Sequence, residues 1–298
     1  MFKEDGSSLH EARPALPLAG EWALAGFCEH LATLELWPTP PEWAAARSYR
    51  NWAFESAALD LSLRQAGRPL HRVLGLEPRP LRFVNSLGLG EEPSIEPLRR
   101  RIARAPSVRF KLDAEAAWSA GLVGEVAATG AVDTIDFKGH YGMEVGDPAA
   151  LVALYDRILA RFPDAYLEDP HDLPDIADRL AAHLDRVSYD APIHGPEGIG
   201  ATPLAARVVN VKPSRIGTLS KLFGVYARCA AEGRPMYGGG MGELGVGRGQ
   251  IELLAAMFHP DAPNDVAPSA YHPDEPAGPL PPSPLDPMPA PTGFRRRD

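Results

Sequence analysis

The chain has almost no cysteine: Cys28 and Cys229 are the only two in 298 residues, far apart and outside any His/Cys ligand spacing. That argues against a disulfide framework and a structural zinc site, and it suits a reducing cytoplasm. No stretch of 18 apolar residues occurs, and "MFKEDGSSLHEARP" at the N-terminus has no apolar core, so neither a membrane span nor a signal peptide is expected. Concentrated positive charge is also scarce. The formal net charge is −9, and the dense basic runs are "RRRIAR" and the terminal "FRRRD", both expected to be solvated surface, so a nucleic-acid footprint is not expected.

What the chain does have is proline, 32 residues of it, and it is dense at the end, in "DEPAGPLPPSPLDPMPAPTGFRRRD". This segment reads as an extended tail, residues 273–298, that wraps the protein without entering its core. From about residue 80 the pattern is regular. Eight apolar runs of strand length, "LRFVNSL" (81–87), "VRFKLD" (108–113), "VDTIDFK" (132–138), "AYLED" (165–169), "RVSYD" (186–190), "RVVNVK" (207–212), "RPMYGGG" (234–240) and "NDVAP" (264–268), are separated by stretches with helical spacing. Alternation of this kind implies parallel strands. Eight units suit a closed (β/α)8, TIM-like barrel better than an open doubly wound sheet, although "NDVAP" is short. "RNWAFESAALDLSLRQAG", residues 50–67, reads as a long helix closed by Gly67 and followed by a short helical turn. It makes residues 1–78 a second, mainly helical unit packed against a barrel over 79–272.

The strand ends carry the chemistry. "TIDFKGHYG" ends an apolar strand with Asp136 and Lys138 on one face and Phe137 on the other. Alone, the pair reads as a salt bridge at a strand end. Other strands end in the same manner: Arg109, Lys111 and Asp113 share a phase in "RFKLD", Glu168 ends "YLE", Asp190 ends "VSYD" and Lys212 ends "VNVK". A barrel gathers these ends around one pocket. Asp136, Glu168 and Asp190 converging there would repel without a cation, and hard oxygen donors point to a divalent metal, Mg2+ first and Mn2+ as the alternative. Lys111 and Lys212, on opposite sides of such a group, are candidates for general bases. Lys138 is a third candidate, placed to bind a substrate carboxylate, tune Asp136 or take part in catalysis. Arg109, Asn210 in "VVNVK" and His194, just beyond Asp190, are candidate substrate contacts, while His140 and Tyr141 read as solvated loop residues.

In this combination the chain resembles the enolase superfamily, in particular the branch of muconate cycloisomerase, o-succinylbenzoate synthase and dipeptide epimerase, from about Ala53 to Pro268. "FESAALDLSLRQAGRPLHRVLG" is similar to that family's cap-domain helix, "RFKLD" stands where it has a Lys-x-Lys strand, and "YGGGMGELGVGRGQIELLAAM" is similar to its glycine-rich seventh strand. The resemblance implies a modified (β/α)7β barrel with a small N-terminal α+β cap. It also implies one Mg2+ on Asp136, Glu168 and Asp190, acid/base roles for Lys111 and Lys212, and Glu243 near the pocket.

It further implies a lyase, racemase, epimerase or cycloisomerase that removes the proton α to a small carboxylate through an ene-diolate, in a homo-oligomer. This sequence departs from the family in having Arg109 for the first lysine of Lys-x-Lys, Lys138 for the usual Asn, and only "FKEDGSSLHEARP" where the cap's antiparallel sheet would end. Those departures keep a non-catalytic metal- or ligand-binding barrel open as an alternative. A metal-free hydrolase using paired carboxylates is a third reading.

Overall fold

The computed structural model describes residues 23–34, 39–142, 146–273, 276 and 278–297. Three helices come first: α1 (Leu24–Thr33), α2 (Ala46–Gln65) and α3 (Leu70–Leu74). Strands and helices then alternate: β1 (Val84–Leu87), α4 (Glu96–Arg104), β2 (Arg109–Asp113), α5 (Ala120–Ala128), β3 (Val132–Asp136), α6 (Pro148–Arg161), β4 (Tyr166–Glu168), α7 (Pro174–Leu180) and β5 (Val187–Tyr189). After β6 (Val208–Val211) come α8 (Pro213–Ile216), α9 (Leu219–Glu232), β7 (Met236–Gly238) and α10 (Gly245–Phe258). Local chemistry sets several boundaries. Ser119, Asp147 and Thr218 cap α5, α6 and α9 by accepting backbone N–H groups, and Gly233 closes α9 in the left-handed region at φ 59°.

The strands form one parallel sheet in sequential order, β1 to β7. Strands two to six are buried almost throughout, as expected where helices cover a parallel sheet. Register places the strand ends level. Asp113 pairs with Asp136 and Asp136 with Glu168, so three carboxylates line up along the C-terminal edge. No helix among the described residues is long and apolar enough to cross a membrane.

The expected eighth strand is not a strand here. Residues 264–265 make single parallel bridges instead, Asn264 to Phe83 on one side and Asp265 to Gly239 on the other. A side chain does the work a longer ladder would have done. Asn264 Oδ1 accepts from Gly238 N at 2.6 Å and from His259 Nδ1 at 2.6 Å, while its Nδ2 donates to the carbonyls of Arg82, His259 and Ala262, each at 2.9 Å.

The helices before residue 78 pack against the sheet and share its apolar cluster. Leu59, Leu63, Leu70 and Leu74 belong to the same apolar cluster as Phe110, Ile135 and Leu167 of the sheet. Glu55 of α2 accepts the first N–H of α9 at 2.7 Å, and Gly217 (φ 94°) lies so close to α2 that a Cβ would stand 2.8 Å from Ser48 Cα. The antiparallel sheet expected of a cap falls on residues 2–14, outside the described residues.

The proline-rich tail also enters the core. Leu285 and Phe294 are 8% and 1% exposed, and Phe294 packs edge-on against Trp52 at 6.3 Å. Proline prevents a helix or a ladder but leaves the residues between free to insert side chains. The terminal arginines are not merely solvated surface either: Arg295 pairs with buried Asp60, and Arg296 with buried Glu252 at 2.7 Å.

Replacing Phe294 with Ala is expected to destabilise the fold by about 3 to 5 kcal/mol, read by urea unfolding; a loss within experimental error would mean the tail is peripheral. His259 generates a pH prediction. Burial lowers its pKa from the ordinary 6.5 to about 4, and its Nε2 is buried without a hydrogen-bond partner, so the folded ring stays neutral. Above pH 6.5 both states are neutral; as pH falls from 6.5 towards 4 the unfolded chain takes up a proton that the folded one refuses. Stability should therefore fall by about 3 kcal/mol over that window from this group. A His259→Gln variant should show a correspondingly shallower slope, and identical slopes would remove His259 from the account.

Candidate active site

The C-terminal edge of the sheet opens into a cavity of about 480 Å³ lined by Lys111, Lys138, Tyr141, Lys212, Arg215 and Arg248, among others. At its base lie carboxylates with no exposed surface: Asp136, Glu168, Asp169 and Asp190 are all 0% exposed. Charges of one sign at this density survive only with close partners. Lys111, 1% exposed, places Nζ 2.6 Å from Glu168 Oε1, 3.0 Å from Asp136 Oδ2 and 3.4 Å from Asp265 Oδ2. Lys138 Nζ lies 2.6 Å from Asp136 Oδ2 and 3.2 Å from Asp113 Oδ1, and its backbone N–H donates to Asp136 Oδ1 at 2.9 Å. Lys138 sits at φ 55°, a conformation a lysine adopts only when its surroundings hold it there. Gly139 follows because a Cβ there would stand 2.6 Å from His171 N.

Asp190 has different company. Lys212 Nζ approaches it at 2.7 Å, Arg215 pairs with its other oxygen, and Tyr141 donates to it at 2.9 Å while accepting from Arg215 at 3.1 Å. Glu168 is held by neutral donors as well as Lys111: Asn210 at 3.1 Å and Tyr237 at 2.7 Å.

Burial raises the Asp190 pKa, but Lys212, Arg215 and Lys111 outweigh it and hold this carboxyl well below the ordinary range. Glu168 goes the other way. Burial, with Asp136 and Asp190 nearby, pushes it up to about 7 against the pull of Lys111 and Lys212. Burial and three neighbouring carboxylates also hold Asp169 well above its ordinary value. For Lys111, burial would lower the pKa, yet Asp136, Glu168 and Asp265 overcome it and raise it well above the ordinary value. Lys111 therefore keeps its proton while these carboxylates face it alone.

Ligand atoms of Asp136, Glu168 and Asp169 lie within 4.8 Å of one another. The set is oxygen only and buried. A hard divalent cation fits such a set. Asp190, the third ligand expected from sequence, falls outside this group and is neutralised by Lys212 and Arg215; Asp169, the residue after Glu168, stands within it.

Among the other expected residues, Lys111, Lys138 and Lys212 line the cavity together. Asn210 is 1% exposed and reaches Glu168 instead of the cavity lining. Glu243 accepts from Ser214 Oγ at 2.6 Å and from Met241 N at 2.7 Å, bracing the loop after β7. Two residues are not brought to the site. Arg109, one strand repeat below Lys111, pairs with Asp133 at 2.6 Å and with the Gly130 carbonyl near the opposite edge of the sheet. His194 is exposed beyond the β5 turn.

Tyr141, read as a solvated loop residue, instead orders Asp190. Arg215, Tyr237, Asp265, Arg248 and His272 were not singled out from sequence. Arg215, three residues beyond Lys212 on the turn of α8, carried a spacing signal; the others are set by chain returns that a linear pattern does not show.

Residues 77–273 match the family described as Domain of unknown function (DUF8230) C-terminal domain, and residues 1–73 match the corresponding DUF8230 N-terminal domain. An N-succinylamino acid racemase of Thermus thermophilus is 30% identical over 229 residues, which span 74% of this chain and 60% of that protein. An o-succinylbenzoate synthase of Geobacillus stearothermophilus is 26% identical over 230 residues, 74% of this chain and 59% of the relative. The chain thus matches about three fifths of the length of these curated relatives. A solved member of the enolase superfamily from Listeria innocua superposes with a TM-score of 0.61 at 21% identity, covering 83% of this chain and 68% of that one. These findings bear out the resemblance to the enolase superfamily read from the strand ends.

Calorimetric titration with Mg2+ is expected to show one saturable site in the wild type, weakened at least tenfold in Glu168→Gln. Lys138→Met should bind the ion more tightly than wild type, because it removes the ammonium competing for Asp136. Equal affinity in all three proteins would mean the ion binds elsewhere.

Proposed function

The chain belongs to the DUF8230 family and is related to enzymes of the enolase superfamily, and we propose that it abstracts the proton α to the carboxylate of a small acid in a metal-dependent lyase or isomerase reaction. One observation carries this reading. Two buried ammonium groups, Lys111 from β2 and Lys212 at the end of β6, line one cavity from separate sides of a buried carboxylate cluster. Such a pair can remove a proton on one face and return one on the other, which is racemisation or epimerisation. It can also remove one while a β group leaves or a ring closes. Mg2+, or Mn2+ in its place, held by Asp136, Glu168 and Asp169, would supply positive charge where the second oxyanion charge develops and would loosen the hold of those carboxylates on Lys111.

The remaining residues have stated parts in this proposal. Lys138, 26% exposed and 5.1 Å from the Tyr141 ring centroid, binds the substrate carboxylate. Asn210 and Tyr237 orient Glu168, while Arg215 and Tyr141 orient Asp190, which in turn positions Lys212. In the same reading Asn264 and Asp265 stand for the last strand of a (β/α)7β barrel. Residues 1–78 form its cap, 79–272 the catalytic barrel and 273–298 a strap. A homo-oligomer in the cytoplasm completes it.

The close hold of Lys138 on Asp136 and of Arg215 on Asp190 favours a second reading, a binding protein that keeps the cluster without turnover. Exchange separates the two. Mg2+-loaded protein in D2O with a panel of small carboxylates and N-acylamino acids is expected to wash the Cα proton out of at least one acid. Lys111→Ala and Lys212→Ala should each slow that exchange by about a hundredfold or more. No exchange with any acid, or exchange untouched by both substitutions, would overturn the enzymatic reading.

A further inference from the structure

The basic run "RRRIAR" belongs to α4 and has no part in the site described above. On a helix of about 3.6 residues per turn, Arg100, Arg101 and Arg104 fall within about 100° of arc, so one face presents three guanidiniums. Only part of that face is the solvated surface expected from sequence. Arg101 is 6% exposed, and all three arginines line a cavity of about 540 Å³ beside α4. Arg101 donates to the Pro273 carbonyl at 3.0 Å, and Arg104 donates to the Pro276 carbonyl and, at 3.4 Å, to that of Gly278. Among the described residues no carboxylate lines the cavity or forms an ion pair with Arg100 or Arg104. The acidic side chains nearest in sequence are turned elsewhere: Glu96 pairs with Arg99 at 2.8 Å, and Glu91 and Glu92 are exposed.

Capping of the helix end does not account for three cations. A helix C-terminus carries the equivalent of about half an elementary charge, the tail carbonyls are neutral acceptors, and like charges one turn apart repel. The shape of the cavity points the same way. Its other wall is Leu87, Gly88 and Gly90, at the end of β1 and in the loop that follows. A Cβ on Gly88 would meet nothing within 4 Å, and one on Gly90, at φ 91°, would meet only the Glu92 carbonyl at 3.8 Å, so the glycines leave this wall open. Leu87 and Pro97 add apolar surface beside the arginines. The volume falls in the range of roughly 300–1,000 Å³ typical of small-molecule sites, with room for an organic group as well as its charge. Asn85 and Ser86 line the active-site cavity while Leu87 and Gly88 line this one, so β1 separates the two.

We propose that this cavity is a second anion site, separate from the carboxylate floor, and that it takes a phosphate monoester of a small molecule. Arg100 and Arg104, with buried Arg101 beside them, hold the phosphate; Leu87, Pro97 and the open glycine wall receive the organic part. Phosphate suits the arginines better than a carboxylate does. At neutral pH it carries a charge of about −1.5 to −2 on three acceptor oxygens, enough to engage more than one guanidinium fork, whereas a carboxylate brings a single charge. The assignment does not depend on the reaction proposed over the sheet.

Mg2+-loaded wild type, Arg100→Ala, Arg100→Lys, Arg104→Ala and Lys138→Met are titrated calorimetrically with inorganic phosphate, glycerol phosphate and AMP, and with glycerol and adenosine as uncharged counterparts. The wild type is expected to bind at least one of the two esters at a single saturable site and neither uncharged compound. Arg100→Ala and Arg104→Ala should each weaken that binding by about tenfold or more, and Arg100→Lys, which keeps the charge and loses the fork, by less. Lys138→Met, altered in the other cavity, should leave it unchanged. Unfolding curves confirm that each variant is folded. Asp274 and Glu275, the acidic pair of the tail, lie outside the described residues, and an Asp274→Asn/Glu275→Gln double variant should bind the ester at least as tightly as the wild type. Binding by the double variant with none by the wild type would assign the arginines to the tail and overturn the proposal. Binding of neither ester by any of the proteins would overturn it as well, as would binding that survives both alanine substitutions or is lost in Lys138→Met.

Discussion

A single ammonium ties the centre of this protein together. Lys111 Nζ, 1% exposed, contacts Asp136 of β3, Glu168 of β4 and Asp265 of the segment that bridges β7. Each of those carboxylates alone would pay heavily for burial, and so would the lysine; together they are tolerable because opposite charges at about 3 Å interact strongly where water is excluded. The strand ends are consequently level and rigid. The cavity above them inherits a floor of fixed charge.

The chain around that floor is arranged to keep the charges where they are. Lys138 adopts a positive φ so that both its N–H and its ammonium reach Asp136, and Asp169, also at a positive φ (45°), turns back to accept the N–H groups of Asp190 and Ala191. These are the strained positions expected where structure serves a site more than stability. Rigidity is then supplied from the far end of the chain. Asp60 on α2 accepts Phe294 N at 2.7 Å and pairs with Arg295, so the tail binds the first helices to the sheet and closes a single core.

The carboxylate inventory separates two environments. Asp136 meets Lys111 and Lys138, and Asp190 meets Lys212 and Arg215, whereas Glu168 has Lys111 alone and Asp169 is held by backbone N–H groups; Asp136, Glu168 and Asp169 lie close enough together to suit a divalent ion.

Periodicity and strand-end chemistry made much of this legible in advance. The order of strands and helices from residue 80 onward followed from alternating apolar runs, because a covered parallel sheet demands them. Lys111, Asp136, Lys138, Glu168 and Lys212 could be placed around one pocket because parallel strands present their C-terminal ends together. What linear reading could not supply were contacts between residues distant in sequence. Asp265 and Tyr237 reach the floor only because the sheet curls, Arg248 meets His272 because the chain after residue 268 folds back over α10, and Phe294 fills a gap beside Trp52 that local pattern does not reveal. The identities of the charged groups were written in the sequence. Which carboxylates each ammonium reaches, and which oxygens lie close enough together to share a cation, depend on distances of a few ångströms, and those exist only once the chain has closed.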